Sequence, residues 1–76
     1  MTQQVRIKNR LRELRQSAGF GTQTDLAERL GVRQTAISAI ETGENFVSEE
    51  MLAGLCETLN CDVGDIFFAN RESYHF

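Results

Sequence analysis

The stretch from Gln23 to Glu41 constrains the fold more than any other part of the chain. Leu26, Ala27 and Leu30 share one helical face, and Ile37 and Ile40 share another. Between the two patterns sits Gly31, which lacks a Cβ and so suits the left-handed backbone of a helix end. Val32 follows as an apolar plug. Only a few residues separate the two helices, so they must meet at a steep angle. That arrangement is a helix-turn-helix, whose second helix can project into a DNA major groove.

The residues that the core does not need fit this use. Arg33, Gln34, Thr35 and Ser38 cluster at the N-terminus of the second helix, the end that reaches base edges in this motif. Arg can pair bidentately with guanine and Gln with adenine; Thr and Ser bond either base, and a Thr methyl can touch thymine. A polar helix face is by default only a solvated face. Here the tight turn and the composition of the tip favour base contact.

With those residues in view, the chain resembles the phage repressor/Cro-type, or XRE, family of helix-turn-helix proteins. The resemblance runs from about Leu11 to Phe67. It rests on Leu11-Arg12-Glu13-Leu14-Arg15, Thr22-Gln23, Leu26-Ala27, Leu30-Gly31-Val32, Ile37-Ser38, Ile40-Glu41 and Thr42-Gly43, and then on Leu55, Leu59 and Asp65-Ile66-Phe67. It implies an all-α fold, a compact five-helix bundle. It also implies that Gln34, Thr35 and Ser38 face bases, that Gln23 opens its helix near a phosphate, and that Arg15 and Glu41 form an internal ion pair. Two departures stand out. Arg33 occupies a position where the family often has a capping Ser or Thr, which makes it a candidate DNA contact. Glu44 follows Gly43 where the family frequently has a basic residue facing phosphate; Asn45 remains a candidate backbone contact through its side chain or its own N–H.

Seventy-six residues allow one domain, residues 1–76, with its core about 9–68 and a tail 69–76. No apolar run reaches membrane-spanning length, and no signal-peptide pattern opens the chain, so a cytoplasmic location with no membrane partner is expected. The net charge of −3 is unusual for a DNA binder, but the charge is unevenly spread. Residues 1–33 carry seven of the eight basic residues and three acids, and the rest carries Arg71 against eight acids. A local basic face can bind phosphate while the far side is acidic; a merely solubilising acidic surface is the equal alternative. Cys56 and Cys61 are the two cysteines, Cys56 on an apolar helix face and Cys61 near the following turn. With the single His75 in the tail they make a poor metal site, and a disulfide is not expected in a reducing compartment.

Local signals complete the outline. Val5-Arg6-Ile7-Lys8 alternates like a strand, against a competing helix that starts early and takes in Ile7. Asn9 can cap the first helix, with Leu11, Leu14 and Ala18 on its buried side. Gly19-Phe20-Gly21 ends it, with Gly21 as an insertion relative to the family and Phe20 as a plug. Thr22 and Asp25 have capping-box spacing. The third helix spans about Gln34 to Thr42 and stops at Gly43. Ser48 can cap the fourth helix, with Met51, Leu52, Leu55, Cys56 and Leu59 at helical spacing. Asp62 can cap a short fifth helix holding Val63, Ile66 and Phe67.

No nucleophile–base pair, phosphate-binding glycine loop or paired carboxylates point to an enzyme. No cofactor, metal or small-molecule ligand is expected. Four of the six aromatic residues lie in the last ten positions, more than a small monomer can bury. A twofold dimer is therefore expected through Ile66, Phe67, Phe68, Tyr74 and Phe76, with a short terminal β-ribbon pairing Val5–Lys8 against the segment after Phe67 as a further option; a tail folded on its own core is the alternative. The expected function is a homodimeric, sequence-specific regulator of transcription that binds double-stranded DNA at a near-palindromic operator. The competing expectation is an antitoxin-like protein-interaction module working through the acidic fourth helix and the aromatic tail.

Overall fold

The computed structural model describes residues 6–44 and 47–70. Seven elements follow in order: β1 (Arg6–Asn9), α1 (Leu11–Ser17), α2 (Gln23–Leu30), α3 (Gln34–Glu41), α4 (Glu49–Leu59), α5 (Val63–Ile66) and β2 (Phe67–Asn70). Five short helices thus make up most of the fold, and the two strands form one antiparallel ribbon. Its register pairs Arg6 with Asn70, Ile7 with Ala69, Lys8 with Phe68 and Asn9 with Phe67. The alternating pattern before Asn9 therefore forms a strand, not an extension of α1. Val5, expected to join the strand, and the aromatic residues Tyr74 and Phe76 lie outside the described residues.

Four of the five helices begin where a side chain can take up an unpaired N–H group; α3 does not. Thr22 Oγ1 accepts from the Asp25 N–H at 3.1 Å, and the Asp25 carboxylate accepts from the Thr22 N–H at 3.2 Å. This closes the expected capping box at α2. Ser48 Oγ accepts from the Met51 N–H at 3.1 Å to start α4. Asp65 reaches back to the Asp62 N–H at 2.9 Å to start α5. At α1 the first helical N–H, that of Leu11, bonds to the Asn9 side chain at 3.2 Å, while Arg10 at the boundary gives no side-chain cap.

Four helices end on the same backbone turn. The N–H of Phe20 bonds to the carbonyl of Arg15, Val32 to Ala27, Glu44 to Ala39, and Cys61 to Cys56, each at 2.9 or 3.0 Å. The residue before each of these donors has positive φ: Gly19, Gly31, Gly43 and Asn60. These are Schellman turns, in which the residue after the left-handed one folds back over the last helical turn. Phe20 and Val32 use that position to pack against the core, which is why they read as plugs. At Gly31 (φ 75°, ψ 29°) a side chain would be strained by its own backbone, even though the space around it is open.

The core is built from Leu11, Leu26, Ala27, Ile37, Ile40, Leu55, Leu59 and Ile66. Leu11, Leu26, Ile37, Leu55 and Ile66 are fully enclosed, each contributing about 1.5–3 kcal/mol by burial. Two expectations need correcting. Ala18 is exposed because α1 ends at Ser17 and Ala18 already belongs to the turn. Ile66, expected at a dimer surface, is 0 % exposed in the monomer's own core, since α5 folds inward beside α1 and the Arg10 N–H bonds to the Ile66 carbonyl at 2.9 Å. Among the described residues, no helix is long and apolar enough to cross a membrane.

Candidate nucleic-acid interface

The turn between α2 and α3 presents the N-terminus of α3 to solvent. Arg33, Gln34 and Thr35 are exposed, and Ser38, one turn on, is half-buried. Their neighbours Ile37 and Ile40 are buried, so the helix is fixed by one side while its tip stays free. Arg33 sits at the N-cap in extended backbone and makes no side-chain cap. Its guanidinium has no acceptor with which to cap a helix, so the position gives up a contribution of about 1 kcal/mol that Ser or Thr would supply.

Behind the tip lies a relay of four side chains. Arg15 Nε donates to Glu41 Oε2 at 2.8 Å, and its Nη1 donates to the Phe20 carbonyl at 2.9 Å. The Arg15 and Glu41 side chains are 4 % and 8 % exposed, so the pair is buried. The other oxygen of Glu41 accepts from Gln23 Nε2 at 3.0 Å. Gln23 Oε1 in turn accepts from Gln34 Nε2. The polarity of this chain follows from its buried end. An ionised carboxylate only accepts, so Gln23 must turn its NH₂ inward and its oxygen outward. Gln34 must then offer its own NH₂ to Gln23. One N–H and both carbonyl lone pairs of Gln34 remain for an external partner, and one N–H of Gln23 remains beside them.

A second set of contacts holds the far end of α3. Asn9 Nδ2 donates to the Ile40 carbonyl at 3.0 Å, while the same side chain starts α1. The residue read as a helix cap therefore also clamps the C-terminal end of α3. Thr42 Oγ1 closes that end on the Ser38 and Ala39 carbonyls at 3.1 Å. Glu44 is exposed, with its N–H used to complete the turn at Gly43. Asn45 lies outside the described residues.

The structure thus brings Arg33, Gln34, Thr35 and Ser38 onto one helix tip and joins Gln34 to Gln23. The joint relay from Arg15 to Gln34 was not read from the sequence. Its signal was available: a Gln opens each of the two helices that flank the turn. In β2, Phe67 and Phe68 are half-buried. Arg10 covers Phe68, with its guanidinium carbon 4.8 Å from the ring centroid. The exposed large hydrophobic residue of the described chain is Val63 at 48 %, which was not among the expected surface residues.

Comparison with known proteins agrees with this geometry. Residues 9–66 match the family described as helix-turn-helix domain. The chain belongs to that family. It is also similar to the uncharacterized HTH-type transcriptional regulator YgzD of Bacillus subtilis (strain 168). The two are 30 % identical over 67 residues, which span 88 % of this chain and 100 % of the relative.

Proposed function

We propose that this helix-turn-helix chain is a single-domain, sequence-specific DNA-binding regulator of transcription, of the phage repressor/Cro type. The observation that carries the reading is the buried-to-surface relay that sets the orientation of the Gln34 amide. An amide with one free N–H beside a free carbonyl matches adenine, which offers an N7 acceptor and an N6 donor in the major groove. The remaining side-chain N–H of Gln23 lies at the first residue of α2, where a phosphate oxygen can accept it. Arg33, Thr35 and Ser38 complete the base-reading set, and Asn45 supplies a further backbone contact. The HTH-type regulator related to this chain supports the same reading.

The regulator acts as a homodimer in the cytoplasm. A single module of this size reads few base pairs, and two copies on half-sites one turn of DNA apart, about 34 Å, supply useful affinity and a near-palindromic operator. With Ile66 used inside the monomer, the proposed dimer surface shifts outward to the exposed Val63, with the half-buried Phe67 and Phe68 that follow it in the chain; Tyr74 and Phe76 of the tail stay in the proposed interface.

A gel-shift titration against random-sequence duplex at low salt tests the reading. Retarded duplex is expected, with affinity falling steeply as salt rises, by a log–log slope of about −0.9 per phosphate neutralised. No retardation at low salt would overturn DNA binding and favour a protein-interaction module on the same fold.

A further inference from the structure

Cys56 lies in the last turn of α4, and Cys61 follows Asn60, the residue that ends it. Asn60 adopts the left-handed conformation (φ 55°, ψ 53°), and its N–H bonds to the Glu57 carbonyl at 3.3 Å. The Cys61 N–H bonds to the Cys56 carbonyl at 3.0 Å. This pair of bonds defines a Schellman turn, which frequently brings the side chains of the first and last residues of the closure into contact. At the two equivalent turns ending α1 and α2, that last residue is Phe20 or Val32, pressed onto the core. At the end of α4 both contact positions are cysteines. They are the two cysteines of the chain, both free, both half-buried and both packed against the same core.

We propose that Cys56 and Cys61 are a reversible thiol–disulfide pair that locks the end of α4 onto the turn leading into α5. A disulfide needs Cα atoms about 4.4–6.8 Å apart, and a direct N–H···O bond between the two residues holds them that close. The oxidant is hydrogen peroxide. One thiol, as thiolate, attacks the peroxide oxygen; the O–O bond breaks, and a sulfenic acid and one water form. The second thiol then attacks the sulfenic sulfur, forming the S–S bond and releasing the second water. Two thiols lose two electrons and two protons, and the peroxide is reduced to two waters. A dithiol reverses the closure by exchange.

The surroundings set the pace. Burial pushes the Cys61 thiol above its ordinary pKa, and the neighbouring thiol of Cys56 pushes it further, with Asp65 and Asp62 acting in the same direction. Whichever role Cys61 takes, it must give up its proton, so closure quickens as the medium becomes alkaline.

The test treats the full chain with hydrogen peroxide and reads intact mass, alkylation and melting. The expected product is a monomer lighter by two hydrogen atoms. Alkylation of both cysteines should slow about tenfold or more and recover after dithiothreitol. The oxidised wild type should melt roughly 5–10 °C higher, because the cross-link limits the unfolded chain. Cys56→Ser and Cys61→Ser should show neither the mass loss nor the shift. A wild type that instead gains oxygen atoms on separate cysteines, forms only intermolecular dimers, or stays fully reduced while folded would overturn the proposal. None of these readouts depends on DNA binding.

Discussion

Removing either member of the Arg15–Glu41 pair should cost far more than a surface charge would. Both side chains are almost wholly enclosed, at 4 % and 8 % exposure, and the contact is 2.8 Å. Truncating one partner strands the other charge, a loss of about 3–5 kcal/mol for buried pairs. Arg15→Ala also leaves the Phe20 carbonyl without its 2.9 Å donor, so it should be at least as damaging as Glu41→Ala. A domain of 76 residues is stable by only roughly 4–11 kcal/mol. Either substitution therefore removes a large share of the folding free energy and should lower Tm by roughly 12–40 °C. The double variant strands no charge, so its loss should fall short of the sum by about 1–3 kcal/mol. Urea and thermal melts of the wild type, both single variants and the double variant close the cycle. Losses below about 1 kcal/mol that simply add would refute the reasoning, because an exposed pair behaves that way.

Other outcomes follow from the same structure. Gly31→Ala should destabilise by about 1–2 kcal/mol in a urea melt because its φ is 75°, whereas Gly21→Ala, in open space without positive φ, should be neutral or gain about 0.4–1 kcal/mol. The raised Cys61 thiol contributes stability below its ordinary pKa that is lost as pH rises through its raised value, so under reducing conditions wild-type Tm should fall more steeply in alkaline buffer than that of Cys61→Ser. Val63→Asp, placed on the most exposed large hydrophobic residue described, should shift sedimentation from dimer to monomer while leaving the melting temperature of the monomer nearly unchanged.

Much of the fold was legible because it is written in local signals. Capping residues at Thr22, Asp25 and Ser48, and the glycines that end the helices, act through backbone chemistry within a few residues, so spacing alone reveals them. The Arg15–Glu41 contact came through family resemblance, not through spacing. What stayed hidden depends on tertiary placement. Asn9 touches Ile40 across 31 positions, and the link from Gln23 to Glu41 spans 18. Ile66 was expected at a surface because it sits among aromatic residues near the end of the chain; only the docking of α5 puts it in the core. Ala18 fell on a sound helical stripe, but the helix stops one residue before it. The cysteine pair is visible in the sequence only once Asn60 is known to take the left-handed turn that a glycine occupies in the other three cases.

The most direct measurement is selection of bound sequences from a random duplex pool, run in parallel with the wild type and Gln34→Ala. The wild type should enrich a near-palindromic site with an adenine at a fixed place in each half. Gln34→Ala should keep the other positions, lose preference at that adenine, and bind the wild-type site about 1–3 kcal/mol more weakly. Identical enriched sites and equal affinity for the two proteins would contradict a Gln34 amide held by the relay for base recognition.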